Sequence, residues 1–140
     1  MIKIRPFIQS DSARLVEILR TNGQYDYPAI EGPEAMERVA DCDAAVFLVA
    51  EEAGQVQGFI RGVYDGSRAL IHLVSVHPSA QRKGIGSALL SAMERELNRR
   101  GAPTASVTVT EHSVGFWEKQ GFKHSAVNLM LKTDIVHNSE

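Results

Sequence analysis

The sequence predicts a mixed α/β fold, in which helices pack on both faces of a mixed β-sheet. Runs of β-branched and aromatic residues alternate with apolar helical patterns along the chain. Turn residues, Asp65 and Gly66 among them, separate three successive strand-like runs and so predict an antiparallel meander. A long helical pattern then leads from the third run to another strand. A crossover of this kind places its two strands parallel and adjacent.

The elements are predicted in the order β-α-α-β-β-β-α-β-α-β. The first strand is expected at residues 2–8, and the first helix lies between an N-cap at Ser10 or Asp11 and a stop at Asn22 and Gly23. The remaining elements are a helix at 34–40, strands at 45–51, 56–64 and 69–76, a long helix between Gly84 and Gly101, a strand at 105–110, a helix at 113–120 and a strand at 122–131. The polar tail at 137–140 is expected to fray.

Length and composition restrict the class of protein. A chain of 140 residues fits one domain, and its net charge of -2 offers no basic surface for nucleic acid. Its apolar runs are shorter than the roughly 18 residues of a membrane span, and its start lacks the apolar core of a signal peptide. Cys42 is the only cysteine and the histidines lack zinc-like spacing, so we expect a cytoplasmic protein without a metal.

Residues 73–90 combine a strand, a turn rich in hydrogen-bond donors and the start of a helix. Amides at a helix start, together with the helix dipole, favour an anion. Gly84 and Gly86 let a ligand approach the backbone, and Arg82 and Lys83 add positive charge. The segment therefore predicts a pyrophosphate site. It lacks the Gly-Lys-Ser/Thr ending of a P-loop and the third glycine of a dinucleotide-binding fold.

The run Gln81-Arg82-Lys83-Gly84-Ile85-Gly86 matches the motif Gln/Arg-x-x-Gly-x-Gly/Ala, the hallmark of the GNAT superfamily of N-acyltransferases. The run Phe116-Trp117-Glu118-Lys119-Gln120-Gly121-Phe122 is similar to the superfamily's closing Phe-Tyr-Glu-Lys-x-Gly-Phe. Ile4-Arg5-Pro6 followed by Asp11 resembles its opening. The chain thus resembles a GNAT domain over nearly its whole length. This implies a GNAT-like fold in which acetyl-CoA lies between two splayed parallel strands, here residues 69–76 and 105–110.

The resemblance also implies which residues hold acetyl-CoA. The backbone after residue 73 is expected to pair with the pantetheine arm as an added strand would, and the following loop is expected to hold the pyrophosphate. The implied cofactor contacts are Val74, Ser75, Val76, Gln81, Arg82, Lys83, Gly84, Ile85, Gly86, Ser87, Thr110, Ser113 and Phe116. Thr110 stands where the family often has asparagine.

Acetyl transfer to an amine needs a base, because a lysine-like amine has a pKa of about 10.4 and must lose a proton. His72 is our candidate: its ordinary pKa suits the task, and the resemblance to arylalkylamine N-acetyltransferases puts a histidine there. It is expected to share a strand face with Val74 and Val76 unless a bulge intervenes. A structural or exposed histidine is the alternative. The backbone amide of Val74 or Val76 is expected to stabilise the developing oxyanion.

Trp117 stands where many GNAT enzymes have a tyrosine that donates a proton to the leaving thiolate. An indole N–H is too weak an acid for that role, so we expect Trp117 to pack against its neighbours. The thiolate then leaves unaided, with help from water, or with help from another group. Loss of catalysis is a further alternative.

The acceptor pocket is expected from residues 21–31 and from the turn at 65–68. Tyr25, Asp26, Tyr27 and Glu31 combine aromatic faces with carboxylates, which suits a cationic amine. A small metabolite or amino-acid-like amine is the leading hypothesis for the acceptor. A protein or peptide amine is the alternative, because the central motif also resembles that of ribosomal-protein alanine acetyltransferases. A non-catalytic acyl-CoA sensor is a third hypothesis, and the sequence leaves open whether the chain forms a homodimer.

Overall fold

The computed structural model describes residues 1–133 and 135. These residues form two compact units, the first ending at Val107 and the second beginning at Thr108. The polar tail from residue 137, predicted to fray, lies outside the described residues.

The described elements follow the predicted order from β1 to α5, with one additional short helix. The strands are β1 (Ile2–Pro6), β2 (Ala45–Glu52), β3 (Gln55–Tyr64), β4 (Ala69–Val76) and β5 (Ala105–Val107). The α-helices are α1 (Ser12–Thr21), α2 (Pro28–Glu31), α3 (Pro33–Ala40), α4 (Ile85–Arg100) and, in the second unit, α5 (Val114–Lys119). Short 3-10 turns lie at Gln9–Asp11, Pro78–Ala80 and Glu111–Ser113.

The five strands form one sheet in the order β1-β2-β3-β4-β5. The pairings from β1 to β4 are antiparallel, whereas β4 and β5 are parallel. The mixed fold class, the meander and the parallel crossover through α4 are therefore confirmed. The parallel pairing is short, because it joins only Ala69, Leu70 and Ile71 to Ala105, Ser106 and Val107.

Two glycines of β3 allow α4 to pack closely against one face of the sheet. A Cβ atom at Gly58 would lie 3.3 Å from a methyl group of Ile85, and one at Gly62 would lie 3.1 Å from the Cε atom of Met93. The opposite face is covered by α1 and α3, whose buried Leu15, Ile18 and Met36 join the phenylalanines of β2 and β3 in one apolar cluster. The sheet thus has a face toward α4 and a face toward α1 and α3.

The opening Ile-Arg-Pro motif has a structural role in the first unit. Arg5 donates two hydrogen bonds to the carboxylate of Asp11, at 2.8 and 2.9 Å, and one to Glu51 at 2.7 Å. Burial alone would raise the pKa of Asp11, but the hydrogen bonds from Arg5 and from the Ile8 amide lower it. The motif therefore ties the start of α1 to the β1–β2 pair.

Two strand ends differ from the structure by more than one residue, and one helix was not predicted. The first strand ends at Pro6, and β5 ends at Val107, three residues before the predicted end. The prediction places no helix between Gly23 and residue 34, but this segment contains the short helix α2, which begins with a proline at a position where a missing N–H costs nothing. The two strand differences lie at element ends, where local sequence patterns say least.

The predicted strand at 122–131 is wrong within the described residues, because that segment forms neither helix nor strand. Four of its apolar side chains are exposed, namely Val127, Leu129, Met130 and Leu131. Alternating apolar residues indicate which side chains share a face. They do not supply the neighbouring strand whose hydrogen bonds a β-strand needs.

Candidate active site

The second half of β4 offers an open backbone edge. The His77 amide donates to the Gln57 carbonyl of the neighbouring chain segment at 2.8 Å. Since hydrogen-bonded and non-hydrogen-bonded pairs alternate along an antiparallel ladder, Ser75 turns its backbone groups toward β3, whereas Val74 and Val76 turn theirs away from it. In the described structure β5 pairs only with the first half of β4. An extended ligand could pair with the edge that remains.

One backbone acceptor on this edge is already occupied. The Val76 carbonyl accepts hydrogen bonds from the Asn22 side chain at 2.9 Å and from the Gln81 side chain at 3.0 Å. The buried Ser75 hydroxyl accepts a hydrogen bond from the Asn22 side chain at 2.9 Å and donates one to the Gln24 side chain at 2.6 Å. The end of α1 is therefore anchored to β4. Val76 presents only its N–H to a ligand, whereas Val74 presents both its N–H and its carbonyl.

The loop after β4 is held by its own side chains. His77 accepts a hydrogen bond from the Ser79 amide through Nδ1, at 3.1 Å, and begins a 3-10 turn with Pro78. Gln81 returns to the strand through its contact with the Val76 carbonyl. His77 thus caps the turn, and Gln81 fixes the loop to the end of β4.

The start of α4 has the features of an anion site. The first hydrogen bond of the helix runs from the Ala88 amide to the Gly84 carbonyl at 3.0 Å. The amides of Ile85 and Gly86 come before it, so the helix leaves them without an acceptor. Gly84 has a left-handed φ of 81°, and a Cβ atom there would meet nothing within 4 Å, so the space beside the helix start is open.

The charges at this loop also fit a pyrophosphate. Arg82 is exposed and has a left-handed φ of 67°, which is uncommon for a residue with a side chain. The Lys83 ammonium is half-exposed and lies 3.9 Å from the Glu52 carboxylate, a distance that leaves most of its hydrogen-bonding capacity for another anion. Amides, helix dipole and cations therefore point to the same ligand class.

His72 lies at a β-bulge. Arg61 faces Leu73, and the next β3 residue, Gly62, faces Ile71, so His72 is the extra residue of β4. The bulge breaks the alternation of faces, and the expected face shared with Val74 and Val76 is therefore not formed. The His72 residue is largely exposed to solvent. Partial desolvation of its imidazole is the larger cause of a lowered pKa, and the positive charge of Arg61 lowers this pKa further.

Arg61 and Glu31 form a buried ion pair that the sequence patterns do not predict. The Arg61 Nη2 atom lies 3.5 Å from a Glu31 carboxylate oxygen, and the two side chains are 8% and 16% exposed. Burial raises the pKa of Glu31, and the charge of Arg61 opposes this rise. An arginine inside an apolar strand run was the available signal, but nothing in the sequence pairs it with residue 31.

The other three predicted acceptor residues differ in their environments. Tyr25 is partly buried, packs against the core and carries the Arg20 guanidinium 5.0 Å above its ring. Asp26 and Tyr27 are exposed on the segment that leads into α2. Of the four predicted residues, only Glu31 contacts a charged group of the sheet in the described structure.

The second unit contains three of the predicted cofactor contacts. The Thr110 and Ser113 hydroxyls lie 3.3 Å apart at the 3-10 turn before α5. Phe116 contacts Trp117 edge-on, with ring centroids 5.2 Å apart, and Phe122 does the same at 5.1 Å. Trp117 is 4% exposed, so its predicted packing role is confirmed. Contacts of Thr110, Ser113 and Phe116 with a cofactor stay predictions.

Membrane spans and metal clusters are both absent from the part of the chain that the structure describes. None of its helices has both the length and the apolar character that crossing a membrane requires. No group of three or more His, Cys, Asp and Glu side chains is arranged to hold a metal ion there.

A family model described as "Acetyltransferase (GNAT) family" matches residues 13–122. The fold is similar to that of the PaiA N-acetyltransferase from Thermoplasma acidophilum in complex with coenzyme A, with a TM-score of 0.82 and 23% identity over 91% of this chain and 93% of that one. It is also similar to Ard1 from Thermoplasma volcanium (TM-score 0.77, 26% identity, 89% and 84% covered). A third similar structure is glucosamine-6-phosphate N-acetyltransferase from Arabidopsis thaliana, with a TM-score of 0.71 and 18% identity over 96% of this chain and 99% of that one.

The structural similarities establish the fold, and the family model, which spans most of the chain, establishes the family. The open edge of β4 and the anion site at the start of α4 are consistent with its cofactor, coenzyme A. The chain belongs to the GNAT family and is an acetyl-CoA-dependent N-acetyltransferase.

Proposed function

We propose that this protein transfers the acetyl group of acetyl-CoA to a primary amine of a small metabolite or amino-acid-like acceptor, by direct attack of the amine on the thioester. One observation carries the proposal: the open edge of β4 is followed, after one loop, by the anion site at the start of α4. A ligand that is extended at one end and carries a pyrophosphate farther along matches both parts.

Val74 supplies the central contacts for the cofactor in this proposal. Its carbonyl and the N–H of Val76 are available for the amide groups of the pantetheine arm. The amides of Ile85 and Gly86 would hold the pyrophosphate, with Arg82 beside them. Ser75 and Gln81 would act by fixing the backbone that makes these contacts, because their own side chains bond within the protein.

Acetyl-CoA supplies an activated acetyl group, and the protein must supply a base and a site for negative charge. His72 would take a proton from the acceptor ammonium, because its lowered pKa leaves the imidazole neutral at pH 7. The exposed ring can then pass that proton to solvent. The Val74 N–H, which points away from β3, would donate a hydrogen bond to the oxygen on which charge develops.

Acetyl-CoA binding tests the cofactor site first. A ligand at about 100 times its Kd adds roughly 2.7 kcal/mol to the free energy of unfolding, which thermal melting and calorimetry can detect. Gly86→Glu puts bulk and negative charge at the helix start and should abolish the stabilisation. Ser91→Glu adds the same side chain at an exposed position of α4 and should not. A folded parent protein that shows no binding at millimolar acetyl-CoA would overturn the proposal.

Release of the coenzyme A thiol then tests the acceptor class. The amines to compare are phenethylamine, glucosamine 6-phosphate, and a short peptide with an N-terminal alanine and one lysine. Turnover of the small amines with the peptide inert supports the proposal, whereas turnover of the peptide alone favours a protein N-acetyltransferase. Binding without thiol release for any amine would favour a non-catalytic acyl-CoA sensor.

A further inference from the structure

Arg61 is a charged residue at a buried position, where the loss of hydration costs free energy. It lies in the interior of β3, paired with Leu73 of β4, and its side chain is only 8% exposed. Leu73 packs against the apolar cluster beneath α1 and α3. A buried guanidinium loses its hydration, and this loss is compensated only when its N–H groups find good partners.

The partners of Arg61 are few. Its ion pair with Glu31 is long, at 3.5 Å, and its Nε–H is buried without a hydrogen-bond partner among the described residues. An apolar residue would fill this position at lower cost, since replacing a poorly paired buried charge by a well-packed apolar side chain is often neutral or stabilising. Fold stability alone therefore does not account for Arg61.

Arg61 is linked to two groups that the proposed reaction uses, Glu31 and His72. Glu31 comes from α2 on the acceptor side, and its carboxylate makes no other polar contact with the described residues. His72 is the bulge residue that shares its position on the ladder with Leu73, opposite Arg61. Arg61 thus contacts the predicted acceptor anchor, and its charge acts on the predicted base.

The positive charge of Arg61 lowers the pKa of both Glu31 and His72. Arg61 favours the ionised form of Glu31 against the effect of burial, and it disfavours the protonated form of His72. From the helices on this face, α2 contributes Glu31, and α1 contributes Arg20, which lies over the Tyr25 ring. Among the described groups, Arg61 is the charged side chain that shifts His72.

We propose that Arg61 is a positioning residue for acetyl transfer, which holds the Glu31 carboxylate at the acceptor end of the site and keeps the His72 imidazole ready to accept a proton. The inference rests on the proposed function. The Oε1 atom of Glu31 lies 3.5 Å from Arg61, and in this proposal the other carboxylate oxygen would accept a hydrogen bond from the acceptor ammonium. The proton that His72 removes comes from that ammonium.

The test uses Arg61→Met, which keeps length without charge, together with Arg61→Lys and Glu31→Gln. NMR titration of the histidine rings, with the His72 signals assigned by His72→Gln, needs no acceptor. We expect the pKa of His72 to rise in Arg61→Met and to stay near the wild-type value in Arg61→Lys. If Arg61→Met does not fold, Arg61→Lys and Glu31→Gln still test the assignment through kinetics.

Kinetics with acetyl-CoA and phenethylamine provide the second readout. Glu31→Gln should raise the KM for the amine about tenfold, as expected for one lost hydrogen bond to a charged group, while the KM for acetyl-CoA stays unchanged. Arg61→Met should raise the KM for the amine in the same way and should also lower kcat. Arg61→Lys should restore most of the KM for the amine and most of kcat. The double variant that combines Glu31→Gln with Arg61→Met should be no less active than Arg61→Met alone.

Failure of the proposed function and failure of the role of Arg61 give different results. Wild-type protein that binds no acetyl-CoA overturns the proposed function, and this inference with it. Wild-type protein that acetylates phenethylamine while folded Arg61→Met does so equally well overturns the role of Arg61 alone. An unchanged His72 titration in Arg61→Met, or additive effects of the Glu31 and Arg61 changes, also overturns that role.

Discussion

Replacing His72 by alanine removes the imidazole from the bulge in β4 and leaves the ladder around it intact, since His72 has no partner residue on β3. Burial and the charge of Arg61 lower the pKa of this histidine below its ordinary value of 6.5. The form that accepts a proton therefore predominates at pH 7. A positioned base contributes about 10²- to 10⁴-fold to a rate, so His72→Ala should lose at least about 10²-fold at pH 7.

The pH dependence of this loss follows from the acceptor. An alkylamine with a pKa near 10.4 is almost fully protonated at pH 7 and becomes increasingly neutral as the pH rises. The alanine variant should therefore recover part of its activity at high pH, where less base assistance is needed. In the wild type, the activity controlled by His72 should rise with pH at values below 6.5 and then level off, because the folded pKa is lowered.

The assay follows thiol release from acetyl-CoA with phenethylamine, from about pH 5.5 to about pH 9.5. His124→Ala is the matched control, because His124 is a largely exposed histidine of the second unit. Wild-type activity of His72→Ala at every pH would refute the assignment, and so would a loss of the same factor at every pH. Either result would make His72 a structural residue of the bulge.

Three further predictions concern the scaffold around the site. Gly62→Ala should lower the free energy of unfolding by roughly 1–3 kcal/mol in urea melts, because its Cβ would lie 2.9 Å from a carbonyl oxygen of β4 and 3.1 Å from Met93; an unchanged midpoint would contradict this packing. Asp11→Asn should cost about 2 kcal/mol at pH 7, since Asp11 accepts charged hydrogen bonds from Arg5. The pKa of Asp11 is lowered on folding, so its stabilisation is present above the unfolded pKa and is lost as the pH falls through the folded one; equal acid melts of both proteins would contradict this. Trp117→Phe should retain acetyl transfer within about threefold while Trp117→Ala loses about 3 kcal/mol of stability, whereas an inactive but stable phenylalanine variant would indicate a chemical role for the indole.

Element boundaries and site features that depend on contiguous residues could be predicted from the sequence. The bounds of β4 and the start of α4 follow from the His77-Pro78 stop and from Gly84, whose left-handed φ ends the loop. The end of α4 follows from Gly101, which is also left-handed. The anion site could be predicted for the same reason, since its amides and cations all come from one short stretch of chain.

Features that depend on a distant partner could not be predicted. A strand needs a neighbour to receive its hydrogen bonds, so alternation alone gave too long a β5 and a strand at 122–131 that is not formed in the described residues. The occupied carbonyl of Val76 likewise depends on Asn22, which lies 54 positions away along the chain.

The sequence by itself therefore determined the family, the cofactor class and the order of the elements from β2 to α5, because motifs and turns are contiguous. Only the tertiary structure decided that His72 lies in a bulge and that Arg61 meets Glu31. Both depend on the register between β3 and β4, and the ion pair also depends on where α2 places Glu31. Register and packing are set by the summed contacts of the whole core, and no short stretch of the sequence encodes them.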